Sequence, residues 1–227
     1  MKKSAVHILP HVAAALPFNA WQRAWGGRIF LPFYHLVADE APPHVRHLYP
    51  VRTIRQFRAD LDFFLKHFEV VDLPAFFAYV TEEKPVKRPV FHLTFDDGLR
   101  ECHDVIMPAL LEKGIPATFF LNPDFVDNRD LMFRYKASLL KESGRLFPQD
   151  PLMVSYADRR RLDEWAIETG FSFSDWQARQ QPYLTTTQIK TMQLHGFTFG
   201  AHSLDHPFYA RITPEEQQRQ TLESLAW

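Results

Sequence analysis

The 227 residues carry 26 basic and 27 acidic side chains, a net charge of −1 and 46% hydrophobic residues. That is the balance of an ordinary globular protein, with no bulk field to recruit nucleic acid or anionic lipid. The one cysteine, Cys102, excludes an internal disulfide, and no stretch reaches the ~20 apolar residues of a membrane-spanning helix.

The chain starts MKKSAVHILPHVAAALP, which has the basic opening of a secretory leader. Its apolar part is broken by His7, Pro10 and His11, and the Phe-Asn-Ala-Trp that follows is a poor cleavage site. The composition therefore favours a cytoplasmic protein over a secreted or envelope-associated one. Residues 1–28 read as an N-terminal arm, in which residues 5–25, with Trp21 and Trp25, suit a short amphipathic helix packed on the domain.

Residues 29–227 read as one α/β domain. Residues 29–37, IFLPFYHLV, suggest a buried strand, and a loop rich in Pro and His follows. Thr53 can cap a helix with an apolar face of Phe57, Leu61, Phe64 and Leu65. A short strand at 69–73 and a short helix at 74–79 come next. Residues 89–95 form an alternating strand that runs into Asp96-Asp97-Gly98. A helix over 101–113 closes at Gly114, and Pro116 leads into a strand over 117–121, a βαβ pattern.

Residues 128–184 are more polar and read as a helical insertion, with Asp158-Arg159-Arg160-Arg161 as a solvated helix face. Thr185 with Gln188 fits a capping box, and that helix stops at Gly196. A strand over 197–201 ends at His202. Thr213-Pro214-Glu215-Glu216 opens a last helix that is still running at Trp227.

Two constellations bear chemistry. Thr94-Phe95-Asp96-Asp97-Gly98 lies at the C-terminal end of a strand. Neighbouring side chains on a strand point to opposite faces, so the two carboxylates can share a site only where the chain turns, and Gly98 supplies a turn. The plainer alternative is an Asp-Gly turn with one Asp capping the next helix. The second is His202-Ser203-Leu204-Asp205-His206-Pro207. Two histidines four apart past a strand can converge on one ion if the loop curls; otherwise they are two surface histidines. Both constellations end strands in an α/β chain, the edge where sites form. One Asp and two His make three ligands and leave an ion such as zinc an open position.

Thr94–Gly98 resembles the Thr-Phe-Asp-Asp-Gly signature of the polysaccharide deacetylase family, which includes chitin, peptidoglycan and poly-N-acetylglucosamine deacetylases. His202-Ser203-x-x-His206-Pro207 is similar to that family's second signature. The likeness covers about residues 29–127 and 182–227 and finds no counterpart for 128–184. It implies a deformed (β/α) barrel and hydrolysis of an acetamido group on an N-acetylated carbohydrate, a glycan or glycolipid. It implies a divalent metal, zinc in first place, held by Asp97, His202 and His206, with Asp96 as general base and Ser203 steadying the loop. In the biofilm poly-N-acetylglucosamine branch a permuted strand carries a Tyr-His pair. Phe33-Tyr34-His35 resembles that strand and makes His35 the candidate general acid, the alternative being a core histidine. His92 reads as a packing or supporting residue.

The departures are as specific. The chain lacks the Leu-x-His-Asp stretch of most members, and the Arg and Pro-Tyr/Phe-Gly that orient the base and supply an oxyanion donor. With the last helix uncapped, the expectation is a barrel incomplete at its C-terminal end, either truncated or completed by another chain. Two other readings stand beside the deacetylase: a catalytically impaired metal- and carbohydrate-binding remnant, or a metal hydrolase of another amide or ester. Oligomeric state is left open.

Overall fold

Val90, Phe91, Leu93 and Phe95 are too apolar to leave either face of their strand in water, and in the computed structural model all four are buried. The structure describes residues 28–81 and 86–227, together with Phe18 and Ala20. Most of the N-terminal arm, with Trp21 and Trp25, lies outside the described residues; Phe18 packs against Phe63 and Phe68, at ring separations of 4.9 and 5.6 Å.

The strands are β1 (Ile29–Phe30), β2 (Phe33–Tyr34), β3 (Glu69–Val70), β4 (Val90–Phe91), β5 (Leu93–Phe95), β6 (Ala117–Leu121) and β7 (Thr198–Ala201). All pair in parallel, in the orders β1-β4-β3 and β2-β5-β6-β7. Parallel neighbours need crossovers, and helices supply them. The fold is α/β, of the deformed (β/α) barrel kind, and the described strands do not close a ring.

The buried strand expected over 29–37 is instead two short pieces, with Leu31 and Phe33 48% and 63% exposed. Pro32 has no N–H to give, so it suits an edge strand, where only its carbonyl is used, accepting from Thr94 N at 3.1 Å. The strand over 89–95 also divides, at His92. There His92 Nδ1–H donates to the Val71 carbonyl at 2.8 Å, leaving Nε2 to accept from the Thr118 hydroxyl at 2.8 Å. This histidine is a strut between strands, and burial holds its pKa below the ordinary imidazole value.

Register explains the core. Tyr34, Phe95, Phe119 and Phe199 stand side by side across β2, β5, β6 and β7 and stack at 5.8, 4.9 and 5.7 Å. Helix α1 (Ile54–His67) covers this ladder with Phe57 and Leu61. Its start follows from sequence: Thr53 Oγ1 accepts from Gln56 N at 3.2 Å, and Gln56 Oε1 accepts from Thr53 N at 3.1 Å. Leu65, expected on the apolar face, is 37% exposed.

Helix α2 (Leu73–Thr81) follows β3. The helix expected over 101–113 opens as a π turn, Cys102–Ile106, before α3 (Met107–Lys113). Pro108 cannot donate to the carbonyl of Asp104, and its ring crowds that turn, so the ladder widens just upstream.

Residues 128–184 hold α4 (Phe133–Glu142), α5 (Arg160–Glu168) and α6 (Phe173–Gln180). Leu131, Met132, Tyr135 and Tyr183 share a buried cluster with Leu36, Val45 and Leu99 of the strand-bearing part. The Arg run is not all solvated: the Arg159 guanidinium lies 4.0 Å from the centre of the Tyr156 ring, while Arg160 and Arg161 are exposed. Helix α7 (Thr186–Leu194) begins at the expected capping box, with left-handed Gly196 just beyond, and α8 (Pro214–Ala226) begins at the expected Thr213 cap.

Candidate metal centre

The last ladder bond of β5 runs from Asp96 N to Tyr34 O at 2.9 Å, which brings His35 alongside Asp96 at the C-terminal edge of the sheet. The chain then enters the left-handed region at Asp97 (φ 70°) and Gly98 (φ 62°). A Cβ on Gly98 would lie 2.8 Å from Leu121 Cδ2, so this turn needs glycine for both conformation and space. The turn breaks the strand alternation: Asp96 stays half-buried while Asp97 is 3% exposed. The helix that follows has no side-chain cap, so the capping alternative for the Asp pair is not what forms.

Just past β7, His202 N donates to Leu121 O at 2.8 Å, and the chain leaves the sheet there. Ser203 (φ 66°) and His206 (φ 60°) are both left-handed, and these two residues curl the loop. Its polar groups are tied in turn. Asn122 Nδ2 donates to the carbonyls of His202 and Ser203. Ser203 Oγ accepts from His206 N at 3.2 Å, the steadying role expected of that serine. Gln220 Oε1, on α8, accepts from Leu204 N at 2.9 Å and Asp205 N at 3.3 Å. The Asp205 carboxylate accepts from Tyr156 OH at 2.8 and 2.7 Å and from Gln220 Nε2 at 2.7 Å.

Asp97, His202 and His206 therefore meet, although 105 positions separate the first from the second. Asp97 Oδ1 is 3.6 Å from His202 Nε2 and 3.3 Å from His206 Nε2, and each residue offers a ligand atom within 4.8 Å of the others. Ligands held at zinc distances of about 2.0–2.2 Å in a tetrahedron stand about 3.3–3.6 Å apart, so the spacing suits one ion. Asp97 Oδ1 is buried with no hydrogen-bond donor, whereas Oδ2 has the Tyr135 hydroxyl at 3.3 Å. Burial also holds the His206 imidazole below its ordinary pKa, in the neutral form a metal needs. A buried carboxylate oxygen without a donor, facing two imidazole nitrogens, is an arrangement that a cation would satisfy. The donor set fits a divalent ion, and the histidines are not two independent surface groups.

Asp96 stands beside this cluster. Burial raises its pKa; the imidazoles of His202, His35 and His206 pull it back, and the Asp97 charge adds to the rise. His35 is thus placed near Asp96, with its ring 5.1 Å from that of Tyr49. Behind Asp97, the hydroxyls of Tyr49, Tyr135 and Tyr183 are all pushed up, by burial first and with the Asp97 charge adding.

The profile of the family described as polysaccharide deacetylase matches residues 83–226, more than half of the chain and the segments that carry Asp96, Asp97, His202 and His206. The chain belongs to the polysaccharide deacetylase family. The matched stretch includes residues 128–184, where sequence reading finds no counterpart. No curated protein matches this family member by sequence. Solved structures do match in fold. The Streptococcus pyogenes deacetylase PplD, in complex with acetate, is 18% identical, with a TM-score of 0.55 over 86% of this chain and 65% of its own. A de-N-acetylase from Aggregatibacter actinomycetemcomitans is 16% identical, with a TM-score of 0.50 over 83% and 59%. A polysaccharide deacetylase from Bacillus cereus is 15% identical, with a TM-score of 0.50 over 87% and 46%. The chain thus spans less than two thirds of the length of these proteins. Among the described residues of this family member, no helix is long and apolar enough to cross a membrane.

Sequence reasoning missed Asn122, Tyr135, Tyr156 and Gln220. Asn122 had a usable signal, as the first residue after β6 at the edge where the site forms. The two tyrosines and Gln220 sit on or beside helices, with nothing local to mark them.

Proposed function

We propose that this member of the polysaccharide deacetylase family is a metal-dependent hydrolase that removes acetyl groups from an N-acetylated carbohydrate. The observation that carries the reading is the orphaned Asp97 Oδ1, buried and facing the Nε2 atoms of His202 and His206. Asp97, His202 and His206 would hold a divalent ion, with zinc the best match to two imidazoles and one carboxylate. Such an ion, when bound, supplies Lewis-acid polarisation of a carbonyl oxygen and acidifies a neighbouring water.

The chain's own groups divide the proton work. Asp96, half-buried and with its pKa raised by burial, is the general base that takes a proton from the attacking water. Its basicity comes from a carboxylate partly withdrawn from water, with the neighbouring Asp97 charge adding to the rise. His35, beside Asp96 at the end of β2, is the donor for the departing amine. In this reading residues 29–227 form one catalytic domain, with 128–184 built into it.

The test separates binding from turnover. Asp97→Ala is expected to abolish stoichiometric zinc uptake, measured by elemental analysis after dialysis. Asp96→Asn is expected to keep the metal and lose acetate release from N-acetylglucosamine oligomers by at least about 100-fold. Unchanged acetate release by the Asp96→Asn protein would sink the base assignment. Metal uptake without acetate release by the wild-type chain would leave a binding protein and refute the enzyme.

A further inference from the structure

We propose that Tyr135 and Tyr156, both from the helical segment 128–184, are positioning residues that hold the metal cluster together from its two sides. The proposal rests on the reading that Asp97, His202 and His206 bind a divalent ion.

On one side, Tyr135 of α4 is 1% exposed, and its ring is fixed between neighbours. Tyr183 stacks on it at 6.1 Å and His44 meets it edge-on at 5.0 Å. Its hydroxyl reaches Asp97 Oδ2 at 3.3 Å. That is longer than the about 2.5–2.7 Å of a tight hydroxyl–carboxylate bond, so Tyr135 restrains the carboxylate rather than locking it. The restraint matters because Asp97 has one torsional choice to settle, which oxygen faces the histidines. A donor on Oδ2 leaves Oδ1 for the cation.

On the other side, Tyr156 lies between a short 3-10 turn, Pro151–Met153, and α5. Its hydroxyl spans both oxygens of Asp205, at 2.8 and 2.7 Å. Asp205 is the residue before His206, in a loop whose left-handed turns decide whether the two imidazoles converge. Gln220 Nε2 holds Oδ1 of the same carboxylate at 2.7 Å, and the Arg159 guanidinium stands 4.0 Å from Oδ2 while packing on the Tyr156 ring. The carboxylate is therefore pinned from two elements. Hydrogen bonds that orient ligands in this way are worth roughly 10- to 100-fold in metal affinity where they have been removed.

The segment that looks like an appendage in sequence is thus part of how the site is assembled. Ion binding and the packing of α4 and α5 are coupled, because the same two phenols serve both.

The experiment is a titration of chelator-stripped full-length protein with Zn2+, in competition with a chromophoric chelator, and with Co2+ followed by its visible absorption. Tyr135→Phe and Tyr156→Phe are each expected to weaken Zn2+ binding by about 10-fold or more, with an altered Co2+ band. Tyr183→Phe is the control. It removes an equally buried hydroxyl from the same stack, one that accepts from Met132 N at 3.0 Å. It is expected to keep the wild-type Kd and Co2+ spectrum even if it lowers the melting temperature. Wild-type Zn2+ affinity and spectrum in both test variants would overturn the proposal while leaving the metal reading intact. Equal weakening by Tyr183→Phe would also overturn it, by showing general loosening. Failure of the wild-type protein to take up either ion would bring down the metal reading, and the positioning roles with it.

Discussion

Asp97 combines two states that a fold does not choose for its own stability. Its backbone is left-handed at φ 70°, and one oxygen of its buried carboxylate has no donor. Leaving a buried acceptor unmatched costs about 1–3 kcal/mol, more when it is charged. Asparagine tolerates the left-handed region and carries no charge. Asp97→Asn is therefore expected to raise the stability of the metal-free protein by about 1 kcal/mol or more, read from urea unfolding in chelator, while zinc uptake is lost. A lower midpoint than wild type would mean that the carboxylate serves the fold. Gly98 behaves in the opposite way. A methyl group there meets Leu121 and adds the left-handed penalty of about 1–2 kcal/mol, so Gly98→Ala is expected to lower the same midpoint with or without metal. His35 and Asp96 need no such strain, since strand register alone sets them side by side.

Elements whose boundaries depend on local chemistry were legible to the residue. Thr53 and Thr185 each close a capping box with the glutamine three positions on, and Thr213 caps α8. Thr53→Ala and Thr185→Ala should each cost about 1 kcal/mol, measurable as equal shifts in the urea midpoint with an unchanged slope. A shift below a few tenths for Thr185→Ala would show that Asp127, whose carboxylate accepts from Thr186 N and Oγ1, at 2.6 Å each, already holds that helix start. Elements that depend on distant partners were not legible. The apolar run over 29–37 cannot reveal that it lies at an edge, and the pattern over 101–113 cannot show the π turn, although Pro108 is its visible cause. In the candidate site, Asp96, Asp97, His202 and His206 could be singled out because each follows a strand in a recognisable motif. Tyr135, Tyr156 and Gln220 could not, because their meaning lies in side-chain contacts across 38, 49 and 15 positions.

At the scale of the whole molecule, the helical segment and the strands share buried residues, and we propose that residues 29–227 unfold as one unit. Leu99 beside the Asp-Gly turn, Val45 in the loop after β2 and Leu131, Tyr135 and Tyr183 of the segment belong to one cluster. His44, 4% exposed, packs against that cluster with its ring edge-on to Tyr135 and Trp176, and neither ring nitrogen has a partner. Burial, with the Arg100 charge adding, lowers its pKa from 6.5 to about 4. The sign follows directly. In the folded protein His44 stays neutral down to about pH 4, while in the unfolded chain it takes a proton near pH 6.5. Between those values the unfolded state binds more protons, so stability is full above pH 6.5 and falls as pH drops toward 4. The loss approaches one proton's slope, about 1.4 kcal/mol per pH unit, and at most about 3 kcal/mol over the window. Urea midpoints at pH 7 and pH 5 measure it. His44→Phe, which keeps a flat ring between Tyr135 and Trp176, is expected to remove most of that fall while leaving stability at pH 7 within about 1.5 kcal/mol of wild type. Because the cluster links strands to helical segment, both parts should lose structure together in acid, with tryptophan fluorescence and far-UV circular dichroism giving the same midpoint. Separate midpoints, or an acid limb unchanged by His44→Phe, would show that the join between the two parts is not where acid acts.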